Sequence, residues 1–73
     1  MQIEYYKETL RGDDTLDYQW LTTKKYNDYL PKVGDSVVYD NGKKPQLKKD
    51  LTVYKVKEIL YFICDGVIKI YIS

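Results

Sequence analysis

The chain contains no histidine and no alanine, and it has one cysteine, one arginine and one phenylalanine. Without histidine no imidazole can act as general base, activate a serine or cysteine, or complete the commoner zinc sites. A lone cysteine cannot close a disulfide within the chain. A lone arginine, Arg11, leaves little capacity for the bidentate grip on guanine or phosphate that guanidinium provides. The longest strongly apolar run, Ile59 to Cys64, covers six residues, against the roughly 20 that a membrane-spanning helix needs. No membrane association is therefore expected. No basic-then-apolar leader opens the sequence, so a cytoplasmic location is the expectation. Enzymatic activity, a metal and a cofactor are not expected either. Asp13, Asp14 and Asp17 read as turn formers, and Cys64 as a small inert hydrophobe.

What is present describes one small domain over residues 1–73. At 44% hydrophobic and 32% charged, the chain is too apolar for disorder and too polar for a membrane protein. Eleven of its twelve basic residues are lysine, and tyrosine occurs nine times. Lysine, tyrosine, isoleucine and asparagine have AT-rich codons, whereas alanine and most arginine codons are GC-rich. The composition thus points to a low-GC genome.

The periodicity predicts strands. Val67 to Ile72 and the run ending at Ile63 flank Cys64-Asp65-Gly66, a strong hairpin signal. A two-residue turn there pairs Cys64 with Val67, Tyr61 with Ile70 and Ile59 with Ile72. One face then carries Ile59, Tyr61, Ile63, Ile68, Ile70 and Ile72 as core. The other carries Leu60, Phe62, Lys69 and Tyr71 and is only partly polar. Tyr54 and Val56 have the opposite parity to Ile59 and Tyr61, which predicts a bend or bulge near Lys57-Glu58. Near the start, Gln2–Leu10 and Thr15–Leu21 flank the turn-rich tetrad Arg11-Gly12-Asp13-Asp14. That turn sets Leu16, Tyr18 and Trp20 opposite Thr9, Lys7 and Tyr5. Residues 23–30 predict a short helix, with a threonine cap, Tyr26 and Leu30 at i and i+4, and Pro31 as terminator. Ser36 to Tyr39 reads as a short strand and Asp40 to Asp50 as a loop.

Two features bear on function. Lys43, Lys44, Lys48, Lys49, Lys55 and Lys57 cluster within fifteen residues, against Asp50 alone. Residues 1–40 hold five basic and eight acidic side chains, net −3, and residues 41–73 hold seven and three, net +4. Such a cluster beside Tyr54 has the chemistry to neutralise nucleic-acid phosphates while a ring stacks on a base. In a small lysine-rich protein it is more often the pattern of a solvated loop whose lysines guard a strand edge. The aromatic surplus is the second feature. A domain this small has too little core to bury every ring, and Tyr5 and Tyr6, being adjacent on a strand, point to opposite faces. An exposed aromatic patch implies a protein partner, a stacked ligand or self-association, and Tyr5, Tyr6, Trp20, Tyr54 and the Lys43–Lys49 loop are the expected contact surface.

The segment Leu30-Pro31-Lys32-Val33-Gly34-Asp35-Ser36-Val37-Val38-Tyr39 resembles a recurring pattern of small SH3-like barrels. There a V-G-D-x-V turn opens a strand, and a long bent strand and a terminal hairpin follow. The resemblance covers Val33 to Ser73 and implies a mostly β fold, a barrel of about five antiparallel strands with one short helix near 23–30. The tract also looks like those of short proteins encoded by phages and mobile elements of low-GC bacteria. That setting implies an inhibitor of host machinery or host defence that binds a host protein or sequesters a small nucleotide signal. The alternative is a nucleic-acid-binding barrel using the Lys43–Lys57 cluster. Homodimerisation would add stability to so small a core.

Overall fold

In the computed structural model, residues 1–26, 29–39 and 52–73 are described. The strands are β1 (Gln2–Leu10), β2 (Leu16–Lys25), β3 (Ser36–Val38), β4 (Val53–Phe62) and β5 (Val67–Ile72). They form one sheet in the order β2-β1-β5-β4-β3, curled into a half-barrel. The fold is thus mostly β, as the periodicity predicts, but the expected all-antiparallel pairing is not found. β1 and β5 run parallel, with Ile3 opposite Ile68, Tyr5 opposite Ile70 and Lys7 opposite Ile72. Tight turns oblige the two hairpins to be antiparallel. They say nothing about the sense in which distant strands meet, and a long enough connection permits a parallel join.

The β1–β2 turn is one residue longer than its sequence signal. Arg11 N–H donates to Thr15 O at 2.8 Å, and Asp14 N–H donates to Arg11 O at 3.1 Å. Asp14 adopts a left-handed φ of 65°, which aspartate tolerates better than most residues. The Asp13 carboxylate accepts from the Thr15 hydroxyl at 2.7 Å and from its amide at 3.3 Å, drawing Thr15 into the turn. The register therefore slips by one from the expected pairing. Leu16, Tyr18 and Trp20 face Leu10, Glu8 and Tyr6. A bulge then inserts Leu21, since Tyr5 pairs with Thr22 while Tyr6 pairs with Trp20. Leu21 packs against the core.

The expected helix at 23–30 does not form among the described residues. Thr22 to Lys25 extend β2 and pair with Tyr5, Glu4, Ile3 and Gln2, and Tyr26 N–H donates to Met1 O at 3.1 Å. A waiting ladder on β1 outweighs one i, i+4 pair in a segment whose threonines favour strands.

The β4–β5 connection takes four residues rather than two. Phe62 pairs with Val67, and Gly66 N–H closes the turn on Phe62 O at 3.0 Å with φ 67° at Gly66. Tyr61 consequently faces Ile68, and Ile59 faces Ile70. A shift of two residues preserves parity, so the faces are those expected even though the partners differ. Ile63, placed in the turn, is 92% exposed rather than core. The bulge expected near Lys57-Glu58 is present: Val56 pairs with Ile72 and Glu58 with Tyr71, which leaves Lys57 unpaired.

The Val33-Gly34-Asp35 turn positions β3. Gly34 has φ 96°, a conformation that glycine adopts without a Cβ penalty. Lys32 N–H donates to Asp35 Oδ2 at 2.8 Å and Asp35 N–H donates to Lys32 O at 2.9 Å. Val56 is gripped on both sides, its carbonyl accepting from Gly34 N–H and its amide donating to Asp35 O, each at 2.9 Å. The core lies inside the curl. Ile3, Val56, Ile68, Ile70 and Ile72 are buried, each such side chain contributing about 1.5–3 kcal/mol of apolar transfer. Tyr5, Leu21, Leu30, Val37, Tyr54 and Ile59 pack around them.

Candidate interaction surface

Alternation along the three central strands gives the sheet a second, outward face. On β5, Ile68, Ile70 and Ile72 point inward, leaving Val67, Lys69 and Tyr71 outside. The parallel register places Glu4 beside Lys69 and Tyr6 beside Tyr71. The antiparallel registers add Trp20 beside Tyr6 and Tyr18 beside Glu8 on one flank. On the other flank they add Leu60 beside Lys69 and Phe62 beside Val67. A row of Trp20, Tyr6, Tyr71 and Glu58 thus crosses four strands.

Two rings of this row touch, and Tyr18 joins them. Tyr6 and Tyr71 stack with centroids 5.5 Å apart, and Tyr18 meets Tyr71 edge-on at 5.1 Å, leaning across β1. Lys69 Nζ lies 5.4 Å from the Tyr6 centroid and 4.8 Å from that of Phe62, a cation held by ring faces. Tyr6 donates its hydroxyl proton to Glu4 Oε1 at 2.8 Å. That bond, followed by burial, pushes the Tyr6 phenol above its ordinary value. Burial, then the charge of Glu58, then Tyr18, Glu4 and Glu8, push Tyr71 up. Trp20 Nε1–H donates to Thr23 Oγ1 at 3.0 Å, which fixes the indole while leaving the residue 56% exposed. Tyr18, Leu60 and Phe62 are also exposed.

Of the residues singled out in the sequence, Tyr6 and Trp20 meet on this face. Tyr5 and Tyr54 lie on the inner side against the core. Burial, with Tyr29 nearby, pushes the Tyr5 phenol up, and Lys7 Nζ sits 5.6 Å from the Tyr54 ring centre. Lys55 and Lys57 are exposed on β4; Lys55 Nζ donates to Ser36 Oγ at 2.8 Å, and Lys57 is the bulge residue. Lys43, Lys44, Lys48 and Lys49 fall outside the described residues. Tyr18 and Tyr71 complete the aromatic cluster without having been singled out as site residues. The signal for Tyr71 was the alternation on β5, which already set Leu60, Phe62, Lys69 and Tyr71 on one face. Tyr18 required the β1–β2 register.

A smaller concavity lies where the half-barrel stays open between β2 and β3. It encloses about 370 Å³ and is lined by Tyr5, Leu21, Tyr29, Val37 and Tyr39, with Lys24 at its side. The Tyr39 hydroxyl donates to Leu21 O at 3.2 Å across the opening.

The chain matches no family model, no curated protein and no solved structure.

Proposed function

We propose that this is a non-enzymatic binding protein that acts by direct contact with a partner protein across its outer sheet face. One observation carries the reading: Tyr6, Tyr18, Trp20, Tyr71, Leu60 and Phe62 adjoin on one face, four of them exposed. Tyrosine and tryptophan offer large rigid contact area at little entropic cost, and contiguous exposed apolar surface marks interaction sites. The absence of histidine from the sequence supports a role without imidazole-assisted nucleophilic catalysis. The low-GC composition and the SH3-like pattern of residues 33–73 support a setting among phage or mobile-element proteins. In that setting the partner is a component of host machinery or host defence in the bacterial cytoplasm. The nucleic-acid reading rests on the Lys43–Lys57 cluster, of which Lys55 and Lys57 are among the described residues; on the aromatic face itself Glu4, Glu8 and Glu58 would repel phosphate.

A photo-cross-linking residue introduced at Trp20 or Leu60 should yield adducts in the native cell that the same residue at Val38, on β3, does not. Equal adducts from all three positions, or none from Trp20 and Leu60, would overturn the reading.

A further inference from the structure

The outer face has a sign as well as a shape. Glu4, Glu8 and Glu58 surround the Tyr6–Tyr18–Tyr71 cluster closely enough for all three to act on the Tyr71 phenol. Lys69 is the cation that answers them across the rings. Glu4 is occupied in accepting from Tyr6. Among the described residues, the side chains of Glu8 and Glu58 have no hydrogen bond or ion pair. The rings themselves bind cations, since Lys69 Nζ already sits within 5.4 Å of two ring centres on this same face. The exposed ring of Tyr18 and the half-buried rings of Tyr6 and Tyr71, flanked by the Glu8 and Glu58 carboxylates, favour a guanidinium or ammonium twice over, through the ring quadrupole and through charge.

We infer that the surface docked here is a basic segment of the partner protein, which lays an arginine or lysine side chain among Tyr6, Tyr18 and Tyr71 between Glu8 and Glu58. The inference rests on the outer-face reading above and adds the chemistry of the occupant. A second copy of this chain fits less well at the rings, because two such clusters brought together would set the Glu8 and Glu58 carboxylates of one against those of the other. Nucleic acid fits less well at the rings themselves, where its phosphates would meet Glu8 and Glu58; Lys55 and Lys57, on β4, are the described members of the Lys43–Lys57 cluster.

The test is a titration with a short oligo-arginine peptide at low salt, read by NMR on the tyrosine rings and the Trp20 indole. An oligo-glutamate peptide and a single-stranded RNA serve as comparisons. The arginine peptide should shift the rings of Tyr6, Tyr18 and Tyr71 while leaving Tyr61, 59% exposed on the other face, in place. Glu8→Gln with Glu58→Gln should weaken that binding by about tenfold or more, and so should Tyr18→Leu with every carboxylate intact. Glu58 and Tyr18 are exposed and Glu8 is half-buried, and an unchanged far-UV spectrum shows that the fold survives. The inference is overturned if the rings do not respond, if glutamate peptide or RNA shifts them equally, or if the charge variant binds as before. It is also overturned if Tyr18→Leu has no effect, or if the rings shift with protein concentration alone, which would make a second copy the occupant. Cross-links from Trp20 and Leu60 to a partner surface that is not basic would remove this inference and leave the binding function standing. Loss of those cross-links would remove both.

Discussion

Tyr6 shows how one side chain is made to serve a surface. Glu4 lies two residues before it on the same face, and the bond from the phenol to that carboxylate holds the ring against Tyr71. The bond favours the neutral phenol, so the folded protein raises the Tyr6 pKa above the unfolded value of about 10. The sign of the linkage follows. The stabilising contribution is fully present below the unfolded pKa and is lost as pH rises through the folded one. Glu4→Gln removes the charge that strengthens the bond. The ultraviolet tyrosinate titration of this variant should show Tyr6 ionising at lower pH than in the parent, and alkaline unfolding should begin earlier. An identical titration curve would show that the bond is absent in solution.

Among the elements, the turns decide which side chains meet. Gly34 at φ 96° has no atom within 4 Å of the place a Cβ would occupy, so Gly34→Ala meets only backbone strain, about 1–2 kcal/mol. A urea titration should show a lower midpoint with unchanged slope. Gly66→Asn should cost less, because asparagine tolerates the left-handed region that Gly66 occupies. Turn length was also where the sequence was least legible. The Asp-Gly signal located the β4–β5 hairpin but not its four-residue connection. The Arg11–Asp14 tetrad gave no sign that Asp13 would draw in Thr15, and that one added residue brings Tyr6 rather than Tyr5 beside Trp20. Parity was more legible than length. The clash between Val56 and Ile59 located the bulge, and alternation on β5 separated the isoleucines from Lys69 and Tyr71. The helix expected at 23–30 depended on local propensity, and pairing of Thr22–Lys25 with β1 overrides it.

For the whole molecule, the inner and outer faces of a single sheet divide the work. Stability is concentrated inside, where Ile70 is completely buried at the centre of the core. Ile70→Ala should remove about 2–5 kcal/mol, a large share of the roughly 5–15 kcal/mol that small domains possess. Its urea midpoint should fall far below the parent's, whereas Trp20→Ala should leave the midpoint almost unmoved. Equal midpoints for the two variants would show that the outer face supports the fold as strongly as the core does. The parallel pairing of β1 with β5 also fixes an order of events in time. Ile3 cannot find Ile68 until β5 has been made, and neither hairpin alone assembles the isoleucine cluster. The two strands furthest apart in sequence close the centre of the sheet together. Such long-range closure makes folding slow and all-or-none. During synthesis, the growing chain carries its aromatic hairpin exposed on both sides until the last strand arrives to give the sheet an inside.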